Sequence, residues 1–203
     1  MLEPQRFLVK ERVRFLAAGQ TFDLYDADAD RREPIGVASE VLGPLARLSR
    51  WFVSKQLTGT TVEVREKPDD SLVFTVRRGA YLFRSRVEVH DAQGESVGWF
   101  KSKQLTWSGG FHVYDRTGRH FAEVRGNFVG FDYRVLTPDG AVELGRVTKK
   151  WTSAVKELFT SADTYLVELN DDLAEQPLAK MLVLAAALAT DMIFKSGSRP
   201  AAT

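Results

Sequence analysis

The sequence contains no cysteine, which excludes disulfides, thiolate nucleophiles, Cys-ligated zinc, iron–sulfur clusters and S-palmitoylation together. That composition suits a reducing cytoplasm. Charge of one sign is also lacking: 28 Lys and Arg stand against 27 Asp and Glu, a formal +1 over 203 residues. A uniformly basic nucleic-acid surface and an acidic tail are therefore both excluded, and any anion site must be local. A duplex binder neutralises several phosphates, so no nucleic-acid partner is expected. The longest unbroken apolar run in the C-terminal segment, Met181–Ala189, is nine residues, against ~20 for a membrane-spanning helix. Met1–Arg6 lacks the cationic start and apolar stretch of an export signal. Enzymatic signatures are missing as well: there is no H-E-x-x-H, G-x-S-x-G or P-loop, and His90, His112 and His120 are the only histidines. The sequence predicts no enzyme and no cofactor.

What is present is alternation. Phe7 and Val9, Val62 and Val64, Leu72, Phe74 and Val76, Phe83, Ser85, Val87 and Val89, and Phe131, Tyr133 and Val135 recur with a period of two. That period puts alternate side chains on one face of a pleated strand and predicts half-buried β-strands over residues 7–170. Turn clusters separate them at Asp26–Asp30, Lys67–Asp70, Asp91–Gly94, Gly109-Gly110, Asp115–Gly118, Gly126-Asn127 and Thr137–Gly140. Asp and Asn stabilise turns and Gly supplies positive φ, so an antiparallel meander closing into a barrel or sandwich is expected. Internal repetition supports it. Trp51–Thr58 recurs as Trp99–Thr106 with seven of eight residues identical, and a looser turn-then-strand unit appears at Asp91–Gly98, Asp115–Ala122 and Asp139–Gly145. A unit repeated so few times signals a duplicated hairpin module rather than a solenoid.

The C-terminal segment breaks the pattern. Asp171 and Asp172 offer an N-cap, Pro177 is compatible with a first turn, and Leu178–Phe194 follows. A helix apolar on nearly every side is either wrapped by protein or embedded in lipid. Lys180 and Asp191 interrupt the apolar stretch, which favours burial in protein, and Ala185-Ala186-Ala187 lets strands approach closely. The expected core residues are Leu178, Met181, Leu182, Leu184, Ala185, Leu188 and Met192. The expected organisation is one domain over residues 1–195, with strands in 7–170, a central helix over 173–195 and a disordered tail over 196–203.

Gly145-Arg146-Val147-Thr148-Lys149-Lys150-Trp151, followed by Glu157, Phe159-Thr160 and Ala162-Asp163, resembles the phospholipid scramblase family, whose corresponding segment carries a G-x-[IV]-x-K-x-W core, a glutamate, a Phe-Thr pair and an Ala-Asp pair. Asp172-Leu173 and the helix ending Asp191-Met192-Ile193-Phe194 are similar to that family's acidic lead-in and terminal helix. Phe7–Lys10 and Phe22–Asp26 are similar to the LURP-one-related branch of the same superfamily. The resemblance implies a mainly β, tubby-like fold: a closed antiparallel barrel of about twelve strands around a buried C-terminal helix, which abolishes sheet edges. It associates the chain with phospholipid scrambling, phosphoinositide binding or transcriptional and defence roles without choosing among them.

The resemblance also implies a twelve-residue acidic calcium segment, which maps to Ser161–Asp172. A hard cation needs six to eight oxygens and a Gly at the sharp turn. Here Ser161 stands where the family has Asp, Leu166 replaces the Gly, and Tyr165, Val167 and Leu169 are apolar. Asp163 and Asp172 alone remain in register, with Glu168 and Asp171 beside them, so no metal is expected. Tyr165, Val167 and Leu169 instead fit the inner face of a last strand. His112 and His120 flank the Asp115–Gly118 turn and can face each other across a hairpin, but the sequence shows no third ligand for zinc. The candidate lipid-binding residues are the pairs Arg84/Arg86 and Lys101/Lys103, each sharing one strand face, with Lys149, Lys150 and the interfacial aromatic Trp151. The competing reading makes these cations an ordinary outward barrel face and the four tryptophans core. The expectation is a non-catalytic, cytoplasmic protein that docks on anionic phospholipid membranes. The alternatives are a barrel that binds an intracellular ligand or protein with no membrane role, and a genuine phospholipid scramblase.

Overall fold

The computed structural model describes residues 1–12, 19–29, 33–41, 59–79, 86–102, 110–127, 132–149, 164–173 and 175–198, the side chains of 102, 127 and 191–198 excepted. Twelve strands form one closed antiparallel barrel: β1 (Arg6–Glu11), β2 (Thr21–Asp26), β3 (Gly36–Val41), β4 (Thr60–Glu66), β5 (Leu72–Arg78), β6 (Arg86–Asp91), β7 (Ser96–Ser102), β8 (Phe111–Asp115), β9 (His120–Asn127), β10 (Asp132–Leu136), β11 (Glu143–Thr148) and β12 (Thr164–Leu169). Each strand pairs with its neighbours in sequence, and β1 closes on β12 through Arg6↔Glu168 to Lys10↔Thr164. Closure leaves no unpaired edge, the usual liability of an open sheet.

The repeated turn unit has a common chemistry. Asp91 Oδ1 accepts the amides of Gln93 at 3.0 Å and Glu95 at 2.8 Å. Asp115 Oδ1 accepts those of Thr117 at 2.9 Å and Arg119 at 3.0 Å, and Asp139 Oδ1 accepts that of Ala141 at 3.0 Å. In each turn a glycine at positive φ follows three residues after, or one residue after, the aspartate: Gly94, Gly118 and Gly140. The aspartate supplies the acceptors of an Asx turn and the glycine the left-handed backbone. Gly126 and Asn127, expected in a turn, instead continue β9, where they pair with Tyr133 and Asp132. The first copy of the tryptophan repeat, and its second copy beyond Ser102, lie outside the described residues, as do Phe83, Ser85 and Phe131.

Inward positions alternate along the strands as the period of two requires, with Phe7, Val9, Phe22, Leu24, Val64, Phe74, Val76, Val113, Val124, Tyr133 and Val167 at most 1% exposed. They surround α1 (Pro177–Ser198), which follows a 3₁₀ turn at Asp171–Leu173. The helix thus begins at 177 rather than 173, because Asp171–Leu173 takes the tighter turn, and it runs through Ser198 rather than stopping at 195. Leu182 to Thr190 are buried without a break, which an amphipathic surface helix never shows. Leu184, Ala185 and Leu188 are fully buried and Leu182 nearly so. Leu178 departs from its expected core place: it lies in the first turn and is 40% exposed, and Met181 is only partly buried. The side chain of Met192 lies outside the description. Strand backbones come close to the helix where side chains vanish. A Cβ at Gly98 would stand 3.0 Å from Leu182 Cδ2, and one at Gly145 3.0 Å from Val183 Cγ1.

Among the described residues, one cation is buried with the helix, and it is satisfied locally. Lys180 is 2% exposed and its ammonium donates to the carbonyls of Leu2 at 2.9 Å and Glu3 at 3.1 Å. A buried ammonium without such acceptors would be strongly destabilising. The contact fastens the segment ahead of β1 over the start of α1.

Candidate functional site: the outer face of β6 to β9

The outward positions of β6 to β9 assemble a polar and aromatic surface whose register is set by the hairpin turns just described. Arg86 pairs across the ladder with Lys101, and Lys101 with His112. His112 pairs with Glu123. In the next row Glu88 pairs with Trp99, Trp99 with Tyr114, and Tyr114 with His120. Two cations from separate sequence motifs are thereby placed side by side, since Arg86 belongs to the Arg84/Arg86 pair and Lys101 to the Lys101/Lys103 pair. Both are exposed.

Aromatic rings hold this surface flat. Trp99 stacks on Tyr114 with centroids 3.9 Å apart and planes 11° from parallel. The Arg86 guanidinium carbon lies 4.3 Å from the Trp99 ring centroid, a cation–π placement, while Arg86 Nε reaches Glu88 Oε1 at 3.2 Å. Tyr114 continues the row to His120, with centroids 5.3 Å apart. Trp99 is thus an outer-face residue and not core. Trp51, Trp107 and Trp151 lie outside the described residues.

At the far side of the patch His112 Nδ1 is 3.1 Å from His120 Nε2 and 3.4 Å from Glu123 Oε1. The facing of the two histidines across the hairpin is as expected. The absence of a third ligand is not: the three side chains bring ligand atoms to within 4.8 Å of one another. A shift in register between Val113 and Tyr114 makes the difference, because a bulge re-aims one side chain relative to regular alternation. Without it His120 would fall on the opposite face of the strand from Glu123, three residues along. The turn that carries the hairpin is held by Asp115. Burial alone would push its carboxyl up, but hydrogen bonds from the Thr117 hydroxyl, the Arg119 and Thr117 amides and the Arg119 guanidinium together hold it below the usual carboxylate range.

Across the barrel, this face included, the described arginines are largely matched with carboxylates. Arg6 meets Asp28 and Glu168, Arg12 meets Asp23, Arg65 meets Glu63, Arg125 meets Glu123, Arg134 meets Glu143 and Arg146 meets Asp132. Lys101 makes no ion pair among the described residues. Of the other sites expected from sequence, Arg84, Lys103, Lys150, Trp151 and Asp163 lie outside the described residues. Lys149 follows β11 and is half-buried. Asp172 is exposed in the 3₁₀ turn, where its amide donates to Asn170 Oδ1 at 3.0 Å. In the segment aligned with the calcium loop, Thr164–Leu169 is β12. Tyr165, Val167 and Leu169 are buried in the barrel core, so those positions cannot present ligands to solvent.

Fold and surface together define an antiparallel β-barrel closed around its C-terminal helix, with a basic and aromatic outer patch. The Scramblase family model matches residues 48–196, well over half of the chain, and the protein belongs to that family. The match includes β4 through most of α1, and the twelve-strand barrel agrees with the tubby-like arrangement. The strands that resemble the LURP-one-related branch, β1 and β2, precede the matched span. No curated protein and no solved structure matches the chain.

Proposed function

We propose that this protein is a non-catalytic scramblase-like module that docks peripherally on anionic phospholipid membranes through the outer face of β6 and β7. The observation that carries the reading is the cross-strand placement of Arg86 opposite Lys101 beside Trp99. Paired cations suit a phosphate oxygen set, and an indole with one wet edge suits the headgroup level. Lys101, which makes no ion pair among the described residues, supports the placement of the lipid contact on this face, beside an Arg86 shared with Glu88. The anionic cytoplasmic leaflet is the natural target, where each Lys or Arg near the surface contributes about 1 kcal/mol. With so few cations, docking is weak, reversible and salt-sensitive.

Transport of lipid across the bilayer fits the architecture less well. No helix among the described residues is long and apolar enough to cross a membrane. Withdrawing α1 from the barrel would expose Leu182, Leu184 and Leu188, each at a cost of about 1.5–3 kcal/mol.

The double variant Arg86→Gln, Lys101→Glu tests the docking reading. Removing three units of positive charge from the patch should lower partitioning onto anionic vesicles by at least about tenfold. Both sites are exposed, so the thermal midpoint should move by no more than a few degrees, the size of about 0.5 kcal/mol. Unchanged partitioning would remove this face as the docking surface and favour a barrel that binds a ligand or protein.

A further inference from the structure

We propose that His112, His120 and Glu123 form a binding site for one divalent transition-metal ion of the zinc class, supplying three of its ligands. This inference is independent of the lipid-docking reading, because it rests on different side chains and on coordination geometry alone.

The distances match the metal. Zinc bound at ~2.0–2.1 Å in a tetrahedron places neighbouring ligand atoms about 3.3 Å apart. His112 Nδ1 lies 3.1 Å from His120 Nε2 and 3.4 Å from Glu123 Oε1, on either side of that edge length. The ligand atoms of all three residues lie within 4.8 Å of one another, a span that small rotations of the half-exposed imidazoles close. The two rings meet edge to face, with centroids 4.9 Å apart and planes at 64°. The two ring nitrogens face each other at hydrogen-bond distance, and a metal ion would take the place of the proton shared between them.

The ligand types select the ion. Two imidazoles and one carboxylate suit zinc, cobalt, nickel or copper, whereas calcium and magnesium call for an all-oxygen shell. The surroundings orient the ligands. The side chain of Glu123 is only 9% exposed, and Arg125 Nε donates to its other oxygen, Oε2, at 2.6 Å. This arrangement fixes the carboxylate with Oε1 turned toward the histidines, the role of an outer-shell partner. Tyr114 lies against His120, with ring centroids 5.3 Å apart, and restrains that ring. The ladder joins His112 directly to Glu123, and the bulge brings His120 to the same face. All three ligands thus sit on a rigid two-strand element rather than on a loop. Arg125 and the neighbouring Lys101 add positive charge beside the ion, so the expected affinity is moderate, on the order of micromolar.

The test uses the full chain, stripped of metal by chelator and titrated with zinc by calorimetry, with cobalt as a spectroscopic probe. The expected result is one zinc ion per chain, visible cobalt bands that zinc displaces, no comparable response to calcium or magnesium, and a thermal midpoint raised by saturating zinc. His112→Gln and His120→Gln should each weaken zinc binding by at least about tenfold, in line with the loss of a ligand. Glu123→Gln should do the same, and the midpoints of the metal-free variants report whether each has folded. If Glu123→Gln does not fold, the two half-exposed histidine variants carry the test. His90→Gln should leave binding intact. Absence of zinc binding up to millimolar concentration would overturn the proposal. So would binding that survives in the His112→Gln, His120→Gln double variant or that disappears in His90→Gln.

Discussion

Leu184→Asp should yield no soluble folded protein, whereas Leu178→Asp, six residues earlier on the same helix, should fold with a midpoint near that of the parent. Leu184 is 0% exposed and lies in the run from Leu182 to Thr190 that strands enclose on every side. The substitution forfeits about 1.5–3 kcal/mol of apolar burial. It also places a carboxyl within the apolar core cluster, at a further several kcal/mol for an unpaired ion. The sum is comparable with the whole stability of a typical domain, about 5–15 kcal/mol. Leu178, 40% exposed, gives its replacement access to water, and the expected loss is about 1 kcal/mol or less. Soluble yield, size-exclusion elution and a circular-dichroism melt of the two variants check the contrast. A cooperative, parent-like melt for Leu184→Asp would contradict the enclosed helix.

Gly98→Ala should be a strongly damaging single-methyl change in the barrel. A Cβ at this position would lie 2.2 Å from the carbonyl oxygen of Tyr114, 3.0 Å from Leu182 Cδ2 and 3.3 Å from Asp115 Cα. Two of these atoms belong to the backbone of β8 and cannot rotate aside, so the strand must move. Overpacking of this kind costs about 1–3 kcal/mol and more when backbone blocks the way. At Gly145 the nearest contacts are 2.8 Å to the Glu168 carbonyl oxygen and 3.0 Å to Val183 Cγ1, so Gly145→Ala should cost less. Urea melts of the two variants rank them. Because Tyr114 also stacks on Trp99, Gly98→Ala should disturb the outer patch together with the core. Parent-like stability for Gly98→Ala would show that β7, β8 and α1 do not approach as described.

These contacts also mark what the sequence reveals and what it conceals. Strand existence was legible because one face of each strand is buried: the alternation of Phe74 and Val76 or Tyr133 and Val135 is the imprint of the core. The helix was legible from an apolar run too short for a membrane. Its start was not, because Asp171-Asp172 looks like a cap yet opens a 3₁₀ turn, and Leu178 is apolar without being enclosed. The candidate surface was half legible. Arg86 and Lys101 could each be placed on a strand face by alternation, but their adjacency depends on the register of β6 with β7, which contains its own shift between Val89 and His90. Glu123 was invisible as a partner of His120, because a separation of three residues on a regular strand puts side chains on opposite faces. Only the bulge beside Tyr114 reverses that. Bulges leave weak traces in sequence, and here both candidate clusters depend on one.

The central claim, peripheral docking on anionic lipid, is tested most directly by floating the purified full chain with neutral and with anionic phospholipid vesicles across a salt series, with calcium and with chelator. The expected result is flotation with anionic vesicles alone, falling steeply as salt rises through the range in which the screening length drops below about 10 Å, and the same with calcium as with chelator. No flotation under any condition, or equal flotation with neutral vesicles at high salt, would contradict docking through the Arg86 and Lys101 face.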